Sequence, residues 1–296
     1  MADKQLRKLV DRYRVTDGAK FRLKHYDPTD SGDGLIDHAT SDALLASGVQ
    51  RLADLQTKLY AEDKWALLLA LQAMDTAGKD GTIKHVMSGV NPQGVTVTSF
   101  KQPGPEDLAH DFLWRLQRHL PQRGQIGVFN RSHYEEVLVV RVHPELLDRQ
   151  HIPPSLNGKK VWKHRLEDIA AWERYLSRQG FVVLKVFLNV SRAEQKQRFL
   201  ARLDTPEKNW KFSAADIAER AHWDDYMAAY EEAIAATAAP HAPWFVVPAD
   251  HKWFAHLVVV EAMIAALEEL DLHVPVMTPE ARERLAEARR ALEAES

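Results

Sequence analysis

The chain has 296 residues, 45% apolar and 8% aromatic, enough to bury a large core in one or two domains. Its 39 basic and 42 acidic residues leave a formal charge of −3, which excludes coating of nucleic acid through a global positive field, so no nucleic-acid partner is expected. The absence of cysteine excludes disulfides, thiol nucleophiles and thiolate metal sites, and no segment approaches the roughly 20 apolar residues that span a bilayer.

The opening Met-Ala-Asp-Lys-Gln-Leu-Arg-Lys lacks an apolar signal core, so a cytoplasmic protein with no membrane contact is expected. Residues 1–38 are polar and rich in turn formers, and read as an extended arm that lies on the body or is partly mobile. In 41–62, Leu44, Leu45, Val49, Leu52, Leu55 and Leu59 recur at helical spacing, with Ser41 as N-cap. Buried strands are expected at 66–72, 95–100, 125–130, 182–189 and 244–248. Helices are expected at 82–87, 105–120, 132–140, 163–178, 191–203 and 214–238. Helices at 251–270 and 279–294 close the chain, the segment 276–296 carrying the last. Continuously apolar strands alternating with helices argue for an α/β/α three-layer domain around a five-stranded parallel sheet. One domain over 1–296 is the simplest division.

The stretch 71–82, Leu-Gln-Ala-Met-Asp-Thr-Ala-Gly-Lys-Asp-Gly-Thr, follows the first strand and precedes a helix. That is the setting of a phosphate-binding loop, whose backbone N–H groups and helix N-terminus attract an anion, with Lys79 adding a full charge. Two positions depart from the usual pattern. Ala73 replaces the first glycine, and Asp80 stands where a metal-binding hydroxyl is expected. Asp75 is the natural replacement ligand, because Mg²⁺ prefers carboxylate oxygen.

The octet 129–136, Phe-Asn-Arg-Ser-His-Tyr-Glu-Glu, falls at another strand's carboxyl end, where open α/β sheets hold ligands. Asn130 takes the place of an acidic metal ligand; Glu135 or Glu136 could supply the carboxylate directly or through water. Arg131 can grip a phosphoryl oxygen with its fork. His133 is expected to be structural. From about 198 to 213, Arg198, Arg202, Lys208 and Lys211 make a basic segment placed like a lid that closes over reacting phosphates. Trp210 within it is expected to dock.

These blocks, with His85–Gly94, 110–115, 206–213 and 242–250 in the same order, resemble the polyphosphate kinase 2 family over roughly residues 20–272. The resemblance implies a thymidylate-kinase-like P-loop fold and reversible Mg²⁺-dependent transfer between inorganic polyphosphate and nucleotides, with Mn²⁺ as an alternative ion. The Asn130 variant and the 86–94 block are similar to the class acting on both AMP and ADP. AMP, ADP and ATP, with guanine nucleotides in addition, are the implied nucleotides, and a homodimer or homotetramer the implied assembly. Asp75, Lys79 and Arg131 would then be catalytic, with Asp75 and Glu135 on the metal. Thr76, Ala77, Gly78, Asp80, Gly81, Thr82, Arg141, Arg198, Arg202, Lys208 and Lys211 would meet phosphate, and Asn130, Glu135 and Glu136 the nucleotide. Candidates for a longer cationic path are Lys84, Arg118, Arg141, Lys159, Lys160 and Lys163, although solvation explains most surface lysines equally well. Two other readings share these features, an ATP-dependent nucleoside monophosphate kinase and a non-catalytic phosphate sensor. Asp75, Lys79 and Arg131 occurring together count against the sensor.

Overall fold

The computed structural model describes residues 3–211 and 213–295, and all five expected strands form in it. With a short additional strand they are β1 (Arg14–Val15), β2 (Ala66–Ala73), β3 (Val95–Ser99), β4 (Ile126–Asn130), β5 (Phe181–Asn189) and β6 (Trp244–Pro248). Their order across the sheet is β1-β6-β5-β2-β4-β3. The five longer strands are parallel, and β1 pairs antiparallel with the outer side of β6. The sheet is therefore mixed and six-stranded among the described residues, because the arm contributes an edge.

Every residue of β2 is buried, which is why its sequence is apolar without alternation. Leu67, Leu69 and Leu71 join a core shared with the helices His38–Glu62 and Lys252–Glu268, which pack on each other. Leu68 points the other way, into a cluster with Val183 of β5 and Leu176 of the helix Val161–Arg178. That helix packs against Trp223–Thr237. Helices thus cover both faces. Lys252–Glu268 is buried nearly all round, consistent with apolar residues at almost every position.

A polar knot lies within the second helical layer. Lys185 of β5 meets Glu173 at 2.6 Å and donates to the Thr237 carbonyl at 2.7 Å. Glu173 also accepts from the Tyr134 hydroxyl at 2.8 Å and faces the His133 ring at 3.0 Å. Both charges are fully buried, so each carries the other's desolvation. The structural assignment of His133 holds.

Elsewhere the local structure departs from the periodicity. The arm is not simply extended: Leu6, Leu9, Val10 and Tyr13 are buried, the first three from the helix Asp3–Asp11. Asp37 rather than Ser41 caps the long helix, accepting from the Thr40 N–H at 2.7 Å. Ser41 is buried in the first turn. The single helix expected over 105–120 is two four-residue turns, Pro105–Leu108 and Trp114–Gln117, divided where Asp111 accepts from the Leu113 N–H. The segment 132–140 winds as a 3-10 turn, His133–Val137, before the short helix Val139–Val142. The helix expected over 214–238 is interrupted by a 3-10 turn at Arg220–His222. Among the described residues, no helix is long and apolar enough to cross a membrane.

Candidate active site

In the sheet, Leu71 of β2 is in register with Asn130 of β4, so the chain segments leaving both strands emerge together at the carboxyl edge. The turn after β2 ends at Gly78, whose φ of 116° suits glycine, and the helix Lys79–Val86 begins there. Thr76 (φ 61°) and Arg131 (φ 66°) hold left-handed backbone without being glycine. Such strain gathers where geometry is held for function. The Thr76 hydroxyl is buried and has no hydrogen-bond partner among the described residues, as suits a loop shaped around an absent polar ligand.

The two segments are joined by charge. Arg131 reaches Asp75 at 3.1 Å with one nitrogen and Glu135 at 3.2 Å with the other. Glu135 is the main cause holding the Arg131 guanidinium above its ordinary pKa, with Asp75 assisting against the desolvation. Lys79 folds back onto the loop and donates to the Ala73 carbonyl at 2.6 Å and the Met74 carbonyl at 3.3 Å. Burial lowers its pKa, opposed by Asp75. Asp80 accepts from the Asn130 amide at 2.9 Å, so this carboxylate is turned toward β4.

Around these residues opens a cleft of about 1460 Å³, lined by Asp75, Thr76, Gly78, Lys79, Asp80, Gly81, Asn130, Arg131, Glu135 and Glu136. Ala77 and Thr82 have buried side chains and do not line it, so neither side chain can meet a phosphate there. Glu136 borders the cleft but is held by Arg165 at 3.0 Å and Gln150 at 2.7 Å. It anchors the wall more than it faces a ligand.

The expected cations divide. Arg202 lines the cleft beside Asp216. Arg198 spends its guanidinium on protein: it donates to the carbonyls of Thr76, Ala77, Ala249 and Asp250 and to Glu194. A guanidinium has five N–H donors, and these five acceptors use them all. Arg198 is thus a brace for the phosphate loop rather than a phosphate ligand. Arg141 pairs with Glu232 and does not line the cleft. The side chains of Lys208 and Lys211 lie outside the described residues. Trp210, which was expected to dock, is 78% exposed.

Sequence reasoning passed over other lining residues. Lys101, Arg115 and Arg149 add positive charge on the β3–β4 side, and Asp216 adds a carboxylate whose pKa is raised by burial and by Asp75. On the β5–β6 side lie His85, Lys252 and His256. Arg115 closes the block at 110–115, but nothing in its spacing separates it from a surface arginine.

Asp75 and Glu135 offer oxygen donors on one cleft wall, while among the described residues no three His, Asp or Glu side chains form a closed cage. That fits Mg²⁺, which takes one or two carboxylates and completes its shell with water and phosphate oxygens.

The sequence profile described as polyphosphate kinase 2 (PPK2) matches residues 36–274. An ADP-polyphosphate phosphotransferase of Rhodopseudomonas palustris is 49% identical over 281 residues, 95% of this chain and 97% of that protein. An AMP/ADP-polyphosphate phosphotransferase of Meiothermus ruber is 43% identical over 268 residues, 90% of this chain and 96% of that one. The crystal structure of polyphosphate kinase 2 from Arthrobacter aurescens superposes with a TM-score of 0.84 at 43% identity, covering 95% of each chain.

Proposed function

Because this chain belongs to the polyphosphate kinase 2 family, we propose that it transfers a phosphoryl group reversibly between inorganic polyphosphate and a nucleotide, with AMP and ADP both as acceptors. The observation that carries the site assignment is Arg131 bridging Asp75 and Glu135 directly above the phosphate loop.

The attacking group is a nucleotide phosphate oxygen, whose second pKa of about 6 leaves it largely ionised at neutral pH. No general base is required, and transfer is direct, without a covalent intermediate. The barrier is repulsion between two polyanions. Lys79 supplies a charge that moves from the loop carbonyls to the arriving phosphate, and Arg131 aligns the travelling group with its fork. Thr76 and the loop amides complete the cradle. Asp75 and Glu135 would hold Mg²⁺ or Mn²⁺, which when bound neutralises phosphate charge.

The nucleoside is assigned to the β3–β4 side, where Phe100, Pro103, Leu108, Val140 and Leu146 give the cleft an apolar wall. The basic segment from about 198 to 213 is assigned as the lid; it begins within the helix Arg192–Leu203, whose Arg202 lines the cleft.

The test is ATP formation from ADP and long-chain polyphosphate, with AMP as alternative acceptor and ATP as alternative donor. Polyphosphate-dependent product that disappears on chelation and returns with Mg²⁺ is expected. Transfer from ATP to AMP with none from polyphosphate would refute the assignment.

A further inference from the structure

His85 and His256 stack face to face, with ring centroids 4.4 Å apart and an interplanar angle of 17°. Both line the cleft on the β5–β6 side. His85 closes the helix Lys79–Val86, six residues beyond Lys79 and therefore about 9 Å along the axis. His256 lies on Lys252–Glu268, one turn after Lys252.

This side of the cleft differs from the nucleoside side. Its further lining residues are Arg198, Ala201, Arg202, Thr205 and Lys252, without an aromatic or large aliphatic side chain for a base to rest on. A nucleoside needs such a face; a bare phosphate chain does not.

The hydrogen bond at His85 fixes which nitrogen is available. Nδ1 lies 2.8 Å from the Gly81 carbonyl oxygen, which can only accept, so Nδ1 carries the hydrogen. In the neutral ring Nε2 is then a bare acceptor that repels a phosphate oxygen. Protonation turns it into a charged donor. The imidazole is the side chain that makes this change between pH 5 and 8.

His256 supplies the platform. It is buried, and burial together with His85, Lys252 and Arg198 lowers its pKa to about 4, so the platform stays neutral. The charged groups acting on His256 are Lys252 on its own helix and Arg198 on the helix after β5, and Asp80 and Lys84 share the helix of His85.

We propose that His85, seated on the ring of His256, is a protonation-dependent grip for the length of polyphosphate leading away from the reaction point. The grip rests on polyphosphate being the donor. It acts on chain length as well as pH, because only a chain of several phosphates reaches from Lys79 to His85. His85 is a specificity-determining residue for long donors, not a catalytic one.

The experiment measures the KM for long-chain polyphosphate and for tripolyphosphate between pH 6 and 8, in the wild type and in His85→Gln and His85→Asn. Titration of the substrates is common to all three proteins and cancels in the comparison. At pH 6 both variants should raise the long-chain KM about threefold to fivefold, the size of one exposed charge contact. By pH 8 the variants should match the wild type or bind the long chain slightly better, because their amides still donate where a neutral Nε2 only accepts, while the KM for tripolyphosphate and kcat are unaltered throughout. Circular dichroism confirms that the variants fold. Variant and wild-type profiles that coincide overturn the grip. An equal effect on tripolyphosphate also overturns it, by placing His85 at the reaction point. A wild type inactive with polyphosphate at every pH overturns instead the donor assignment beneath it.

Discussion

Arg131 and Asp75 lie 56 residues apart in sequence and 3.1 Å apart in space, joined because β2 and β4 are neighbours. The pair is half-exposed, so it adds little to stability. Its value is positional. Arg131→Ala should lower kcat by about 100-fold or more, the scale for losing a preorganised charge at a developing anion. The melting temperature should stay within a few degrees. Asp75→Asn should also lower kcat, and should raise the Mg²⁺ concentration needed for half-maximal rate. Unchanged turnover in either variant would remove that residue from the mechanism.

Lys79 rests on two main-chain carbonyls that a compact ammonium can reach together. Lys79→Ala should abolish measurable transfer while the folded protein persists. Lys79→Arg should not restore it, since a planar guanidinium is larger and cannot occupy the same niche. Substantial activity in the arginine variant would show that charge alone is sufficient there.

The brace at Arg198 makes a different prediction. Arg198→Ala leaves the carbonyls of Thr76, Ala77, Ala249 and Asp250 without this partner. A buried group left unsatisfied costs about 1–3 kcal/mol, so urea unfolding should shift toward lower denaturant by at least that amount. A phosphate ligand would instead change KM with no shift in the urea midpoint. Finding that pattern would return Arg198 to the binding set.

Lys185 and Glu173 provide a test of the fold apart from catalysis. Lys185→Met leaves the Glu173 carboxylate buried without its ammonium and should cost about 3–5 kcal/mol in denaturant unfolding. Pairing it with Glu173→Leu should recover part of that loss. Strict additivity of the two single changes would mean that the groups do not interact.

Acid should loosen the protein before carboxylates titrate. Burial holds His133 below the usual imidazole range and, with its charged neighbours, brings His256 to about 4. Below pH ~6.5 the unfolded chain takes up protons that these rings decline in the folded state. Their stabilisation is therefore complete above that pH and falls as pH drops toward the folded values. Glu173 adds a lower window: burial raises its pKa, but Lys185 and His133 outweigh this and lower it, so its contribution fades below pH ~4.3. Thermal melts from pH 8 to 5 should decline in the wild type and decline less in His256→Gln. Parallel curves would contradict the neutral assignment of His256.

The strands and the phosphate loop were legible because burial on both faces imposes an unbroken apolar run, and because few uses require Gly78-Lys79 after one. The edge strand was not, since two residues carry no period and the apolar set Leu6, Leu9, Val10 and Tyr13 is diluted by charges. Asp111 and Leu138 ended helices through local backbone geometry that helical spacing does not encode. Among cations, sequence identified Lys79 and Arg131 by their place after strands. It could not tell Arg198, whose donors go to carbonyls and Glu194, from Arg202, which lies beside Asp216; both line the cleft and sit four residues apart on one helix. Nor could it find His85 with His256, whose stacking depends on two helices meeting.

The antiparallel pairing of Arg14 and Val15 with Phe245 and Trp244 gives the outermost parallel strand a cover. An uncovered strand is a template onto which a second molecule can zip. The N-terminal segment therefore acts as a guard against self-adhesion. A version trimmed before residue 16 should retain the catalytic groups yet clump during purification.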